Sequence, residues 1–258
     1  MPILKLAGEE FFYSLDGPVE APVLVLSNSL GTTMAMWDGQ AEVLRQHYRV
    51  LRYDTRGHGR SLASPASCTL QTLGQDVLHL LDALNIEKFH FCGISMGGLT
   101  GLWLALNAGH RLEKLVVADS AARIGAADGW RARAQLVQGS GMDAVADGAA
   151  GRWFTPAFIE RAPDQMRQYV TALRACSPTA YAACCLALAD ADLRSELAAI
   201  KAPTLLIAGL HDPVTSTADA RFMQDAIKGV QYAELDASHL SNIEASADFN
   251  KLLLQFLA

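Results

Sequence analysis

A chain of 258 residues, half of them apolar, can bury a core as one large domain or one domain with an insertion, and needs neither disulfides nor a structural metal to hold it. A net charge of −6 with no Lys/Arg cluster argues against a nucleic-acid partner, though charge at one site can still oppose the net charge. Five cysteines, an odd number with two adjacent at Cys184-Cys185, do not make a disulfide framework, and no His/Cys cluster has zinc-ligand spacing.

The N-terminal MPILKLAGEE lacks the apolar segment of a signal peptide, and no apolar run is long enough to span a bilayer. The expectation is a soluble, cytoplasmic protein without metal, cofactor or membrane contact. ILKL and EFFYSL read as two short strands, close enough to pair antiparallel. PVLVLS, YRVLRYD, KFHFCG, LEKLVVAD, APTLLIAG and VQYAEL follow as strands. Helical patterns separate them, such as Leu70–Leu84 with apolar residues at three- and four-residue spacing. This alternation predicts an α/β fold, a mostly parallel sheet of eight strands with helices on both faces. From 121 to 200 no strand is evident. The pattern there is Ala-rich and helical, broken at Gly139-Ser140-Gly141, Pro156, Pro163 and Pro178. It reads as a helical cap inserted into a core made of residues 1–120 and 201–258.

The sharpest motif is Gly93-Ile94-Ser95-Met96-Gly97-Gly98, after the strand KFHFC and before the helical LTGLWLALNAG. It matches G-x-S-x-G, a strained strand-turn-helix elbow that presents a nucleophile at the carboxyl edge of a parallel sheet. The turn brings strand and helix so close that residues two positions from the serine must be small, as Gly93 and Gly97 are. A serine hydroxyl needs a base, and the base needs an orienting acid. In this fold they follow in the order serine, acid, histidine. His239 alone follows the last strand. Asp212 ends APTLLIAG and is the acid candidate, with Asp119, one strand earlier, as the alternative. Acyl transfer also requires two backbone N–H groups aimed at the developing oxyanion. One belongs to Met96. The other comes from the irregular loop Ser27-Asn28-Ser29-Leu30-Gly31-Thr32-Thr33, which ends a buried strand abruptly, and is assigned to Leu30.

These features resemble the α/β-hydrolases over essentially the whole chain. Many members carry His-Gly-x-Gly where this chain has Ser-Asn-Ser-Leu-Gly-Thr. That loop, with Met36-Trp37, Tyr53-Asp54-Thr55-Arg56-Gly57-His58-Gly59, Ala121-Ala122-Arg123-Ile124-Gly125 and Tyr181-Ala182-Ala183-Cys184-Cys185, resembles the 3-oxoadipate enol-lactonase family. The Asp-Thr-Arg-Gly-His-Gly segment is shared by many subfamilies, so the SNSLGT loop and the segment around Cys184-Cys185 carry the specificity. The resemblance implies hydrolysis of 3-oxoadipate enol-lactone in the β-ketoadipate pathway of aromatic-compound degradation. Some relatives are fused to a decarboxylase domain, and with the sequence ending at LLLQFLA the expectation is that none is present here.

A lactone of that kind carries a carboxylate, for which an arginine in the cap is the natural partner. The candidates are Arg123, Arg131, Arg133, Arg152 and Arg174, with Arg123 and Arg152 favoured by their neighbours in sequence. Trp130 and Trp153 are candidates for an apolar wall, or for cap–core packing. A general carboxylesterase, a cofactor-free perhydrolase and a non-catalytic small-molecule receptor are the competing readings.

Overall fold

The central strands are continuous apolar runs because both of their faces are covered. In the computed structural model, which describes residues 2–6, 8–62 and 68–258, every residue is buried in β3 (Val23–Ser27), β5 (Phe89–Ile94) and β7 (Thr204–Gly209). Each fully buried Leu, Val or Phe in them contributes about 1.5–3 kcal/mol. The other strands are β1 (Ile3–Leu6), β2 (Glu9–Asp16), β4 (Arg49–Tyr53), β6 (Leu112–Ala118) and β8 (Gln231–Leu235). They form one eight-stranded sheet in the order β1-β2-β4-β3-β5-β6-β7-β8. β1 and β2 pair antiparallel, as do β2 and β4, and the remaining pairs are parallel. Edge strands β1 and β8 are the ones left half exposed.

Among the described residues, twelve α-helices complete the fold. In the core are α1 (Asp38–Leu44), α2 (Leu70–Ala83) and α3 (Met96–Asn107). Six follow between β6 and β7: α4 (Ala127–Ser140), α5 (Asp143–Asp147), α6 (Ala149–Trp153), α7 (Pro156–Arg161), α8 (Pro163–Arg174) and α9 (Pro178–Asp190). The core resumes with α10 (Thr217–Ala226), α11 (Ser241–Glu244) and α12 (Ser246–Leu257). α3 packs on β5 and β6, α2 on α3, α10 on β7, and α1 on α12.

The prolines that interrupt the helical pattern start new helices. Pro156, Pro163 and Pro178 each open a helix, where the missing N–H costs nothing and the fixed φ suits the first turn. Gly141, at φ +77°, ends α4. Among the described residues no single helix is long and apolar enough to cross a membrane. All five cysteines are buried free thiols.

Candidate active site

Ser95 joins β5 to α3 with φ +56° and ψ −118°, a conformation that L residues avoid. The surroundings impose it. A Cβ on Gly93 would lie 2.2 Å from the Gly97 carbonyl oxygen, and one on Gly97 would lie 2.3 Å from that of Ser27. Alanine at either position would push β5, α3 and the end of β3 apart. The Ser95 N–H donates to Ala118 O at 3.1 Å, and the Gly97 N–H to Asn28 O at 3.1 Å. The elbow is thus tied to β6 on one side and to the β3 loop on the other. Met96 is the first residue of α3, where helix amides have no partner within the helix.

The turn after β7 is built around the Asp212 carboxylate. Its Oδ1 accepts from the N–H groups of Val214 (2.7 Å) and Thr215 (3.1 Å), and its Oδ2 from Thr215 Oγ1 (2.7 Å). His239 follows β8, and its Nδ1 lies 2.7 Å from Asp212 Oδ2 with both side chains buried. An ionised carboxylate there requires the proton on Nδ1, which leaves Nε2 as the free basic nitrogen. Burial by itself would raise the Asp212 pKa, but the His239 charge and the surrounding donors lower it overall. Burial would lower that of His239, and the Asp212 carboxylate outweighs this and raises it above 6.5.

Asp119, the alternative acid, has other partners. Its Oδ1 accepts from the Gly209 N–H at 2.8 Å, and its Oδ2 from the Ser241 N–H at 3.1 Å and Ser241 Oγ at 2.6 Å. Burial, then repulsion from Asp212, push its pKa up to about 7 against the pull of His239 and Ser241.

The loop after β3 is held by side chains. The Asn28 amide donates to Tyr53 O at 2.8 Å, and its oxygen accepts from Trp37 Nε1 at 3.0 Å. Ser27 Oγ and Tyr53 Oη are 2.8 Å apart. Asp54 accepts from the Met34 N–H at 2.8 Å and the Arg60 N–H at 2.9 Å, so the Asp-Thr-Arg-Gly-His-Gly segment braces this loop. Arg56 of that segment forms a buried bidentate pair with Asp76, both contacts 2.6 Å.

Ser95, His239 and Leu30 line one small cavity of about 30 Å³. Its opposite wall comes from the helices between β6 and β7: Trp130 and Arg133 of α4, Arg152 and Trp153 of α6, Leu173 of α8 and Tyr181 of α9. The five candidate arginines separate cleanly here. Arg123, favoured by its place after β6, is outside this wall and turns to Asp192 at 3.8 Å. Arg131 pairs with Asp190, and Arg174 with Asp143 and Asp147. Among the described residues, Arg133 and Arg152 are the two of the five without a carboxylate within salt-bridge distance. Arg152 Nη2 donates to Val145 O at 2.5 Å, and burial followed by the Arg133 charge lowers its pKa. The Arg133 guanidinium sits 4.8 Å from the Trp130 ring centre, and burial pushes the Tyr181 phenol up to about 12 against the pull of the Arg133 and Arg152 charges. Tyr181 is a wall residue that sequence reasoning did not single out for the site, whereas Arg133 carried a signal: three residues after Trp130, it shares that tryptophan's helix face.

The family described as "alpha/beta hydrolase fold" matches residues 22–246. The 3-oxoadipate enol-lactonases 1 and 2 of Acinetobacter baylyi are each 46% identical to the chain, over 99% and 92% of it and 96% and 89% of their own lengths. The crystal structure of the enol-lactonase from Burkholderia xenovorans superposes with a TM-score of 0.97 at 44% identity, covering 99% of both chains.

Proposed function

We propose, from the premise that this chain belongs to the α/β-hydrolase fold family, that it opens the ring of 3-oxoadipate enol-lactone through an acyl–serine intermediate. It is a hydrolase acting on ester bonds. The observation that carries the mechanism is the buried 2.7 Å contact between His239 Nδ1 and Asp212, with His239 and Ser95 on the same cavity. His239 Nε2 takes the proton of Ser95 as Oγ attacks the lactone carbonyl. The amides of Leu30 and Met96 receive the oxyanion. Collapse breaks the ring C–O bond and expels an enolate, whose carbon takes the proton that His239 received from Ser95, directly or through solvent, giving the ketone of 3-oxoadipate and returning His239 to its neutral form. An enolate is a better leaving group than an alkoxide, so this step asks less of His239 as an acid. Water, deprotonated by His239, then cleaves the acyl–serine and restores the hydroxyl.

Arg133 and Arg152 take the substrate's carboxylate, in place of the Arg123 and Arg152 pair favoured from sequence. Two cations facing one cavity without carboxylate partners favour an anionic ligand. Trp130 and Trp153 form the apolar wall, and residues 121–200 act as the cap over residues 1–120 and 201–258.

The test is turnover of freshly generated enol-lactone, followed by loss of its ultraviolet absorbance, with Ser95→Ala alongside. Wild-type turnover that falls at least about 10³-fold in the variant supports both substrate and nucleophile. A folded wild type that hydrolyses a panel of neutral esters but not the lactone favours the carboxylesterase reading.

A further inference from the structure

The three loops that carry Ser95, Asp212 and His239 leave the same edge of the sheet from three different strands. Adjacent strands twist away from one another, so nothing in the sheet alone keeps their ends in register. One side chain reaches the anchoring points of two of these loops, and its two neighbours in the chain, Ala118 and Ser120, reach the third. Asp119 Oδ1 holds the Gly209 N–H, three residues before Asp212. Its Oδ2 holds the N–H and hydroxyl of Ser241, two residues after His239. On either side of it, Ala118 O accepts from the Ser95 N–H, and Ser120 Oγ donates to Ser95 O at 2.7 Å. Asp119 itself stands at φ +43° and donates its N–H to Ile207 O at 2.9 Å. A buried carboxylate in an unfavourable backbone conformation costs stability, and this one directs its oxygens at Gly209 and Ser241, the anchoring points of the Asp212 and His239 loops.

We propose that Asp119 is a positioning residue, which pins the Asp212 and His239 loops to the nucleophile elbow and adds a second negative charge facing His239. The inference rests on the catalytic roles proposed above. The groups facing His239 are Asp212 from the turn after β7, Asp119 from the end of β6, and Arg152 from α6. Asp119 in turn faces the Cys92 thiol of β5.

The test is Asp119→Asn, read with the enol-lactone and, separately, with p-nitrophenyl acetate. Asparagine keeps one acceptor, turns an NH2 group against the donors on the other side and removes the charge. The expected result is a roughly 10- to 100-fold loss of kcat, in line with the loss of a buried orienting group, and KM within about threefold. The acid limb of kcat/KM should also move to lower pH, because Asp119, with its pKa pushed up to about 7, is still partly ionised there and favours the protonated form of His239. A folded Asp119→Asn enzyme with wild-type kcat overturns the proposal, as does one whose acid limb stays in place. Ser241→Ala, which keeps the charge and the N–H contact, covers the case in which Asp119→Asn does not fold. Ser241→Ala should lower kcat by a few-fold with the acid limb unmoved, and an unchanged kcat overturns the proposal. The acetate ester reads the triad independently of the lactone. A wild type active on that ester and inactive on the lactone refutes the substrate and leaves this test intact.

Discussion

The floor and the roof of the cavity are built by different means. In the floor, Ser95, Asp212 and His239 sit at strand ends and are held by backbone amides and buried carboxylates: Ser95 to Ala118, Asp212 to Val214 and Thr215, His239 to Asp212. In the roof, Arg133, Arg152 and Tyr181 project from separate helices: Arg133 lies over the Trp130 ring of its own helix, and Arg152 donates to the Val145 carbonyl. A substitution in the floor therefore disturbs backbone geometry that several groups share. One in the roof exchanges a side chain on a helix whose own hydrogen bonds remain satisfied. On the function proposed above, reactivity belongs to the sheet edge and choice of substrate to the helices above it.

Three experiments would break or sharpen that division. The largest effect is expected from Asp212→Asn, which removes the charge that fixes the His239 tautomer: kcat should fall by roughly 10³- to 10⁴-fold on both the enol-lactone and p-nitrophenyl acetate. A loss on the lactone alone would place Asp212 with the substrate-selecting groups. Next come Arg133→Met and Arg152→Met. A charge-assisted hydrogen bond is worth about 1.5–3 kcal/mol, so each should raise KM for the lactone at least about tenfold, leave kcat within a few-fold, and barely affect the uncharged ester. Equal losses on both substrates would erase the distinction between floor and roof. The smallest effect is in the pH profile. His239 acts as a base when neutral, and its pKa is raised by the Asp212 carboxylate over the opposing effect of burial. Wild-type kcat/KM should therefore decline as pH falls through a value above 6.5, and an acid limb below 6.5 would contradict the charge arrangement described.

The floor was far more legible in the sequence than the roof, for a physical reason. Gly93 and Gly97 flank Ser95 because nothing larger fits between Gly97, Ser27 and the elbow, so the constraint is written next to the residue it serves. Asp212 and His239 are found from their place after named strands, and strands declare themselves by continuous apolar runs. The arginines follow no such local rule. Whether a cation is free depends on carboxylates remote in sequence, such as Asp192 for Arg123 or Asp143 and Asp147 for Arg174, and only folding reveals those pairs. Asp119 was visible as a candidate acid, but its bonds to Gly209 and Ser241 depend on the register of three strand ends, which no local pattern encodes.

The position of β8 at the sheet edge has a consequence for biosynthesis. Strands β3, β5 and β6 can pair as they emerge, and Ser95 then lies in a nearly finished elbow. His239 lies beyond β8, which pairs with β7 alone, and β7 emerges only after all six roof helices. A nascent chain released or stalled before that point carries Ser95 without His239, on the proposed mechanism a nucleophile without its base. On the roles proposed above, hydrolytic activity requires the β7–β8 pair to be in place, and so reports completed folding of the C-terminal strands.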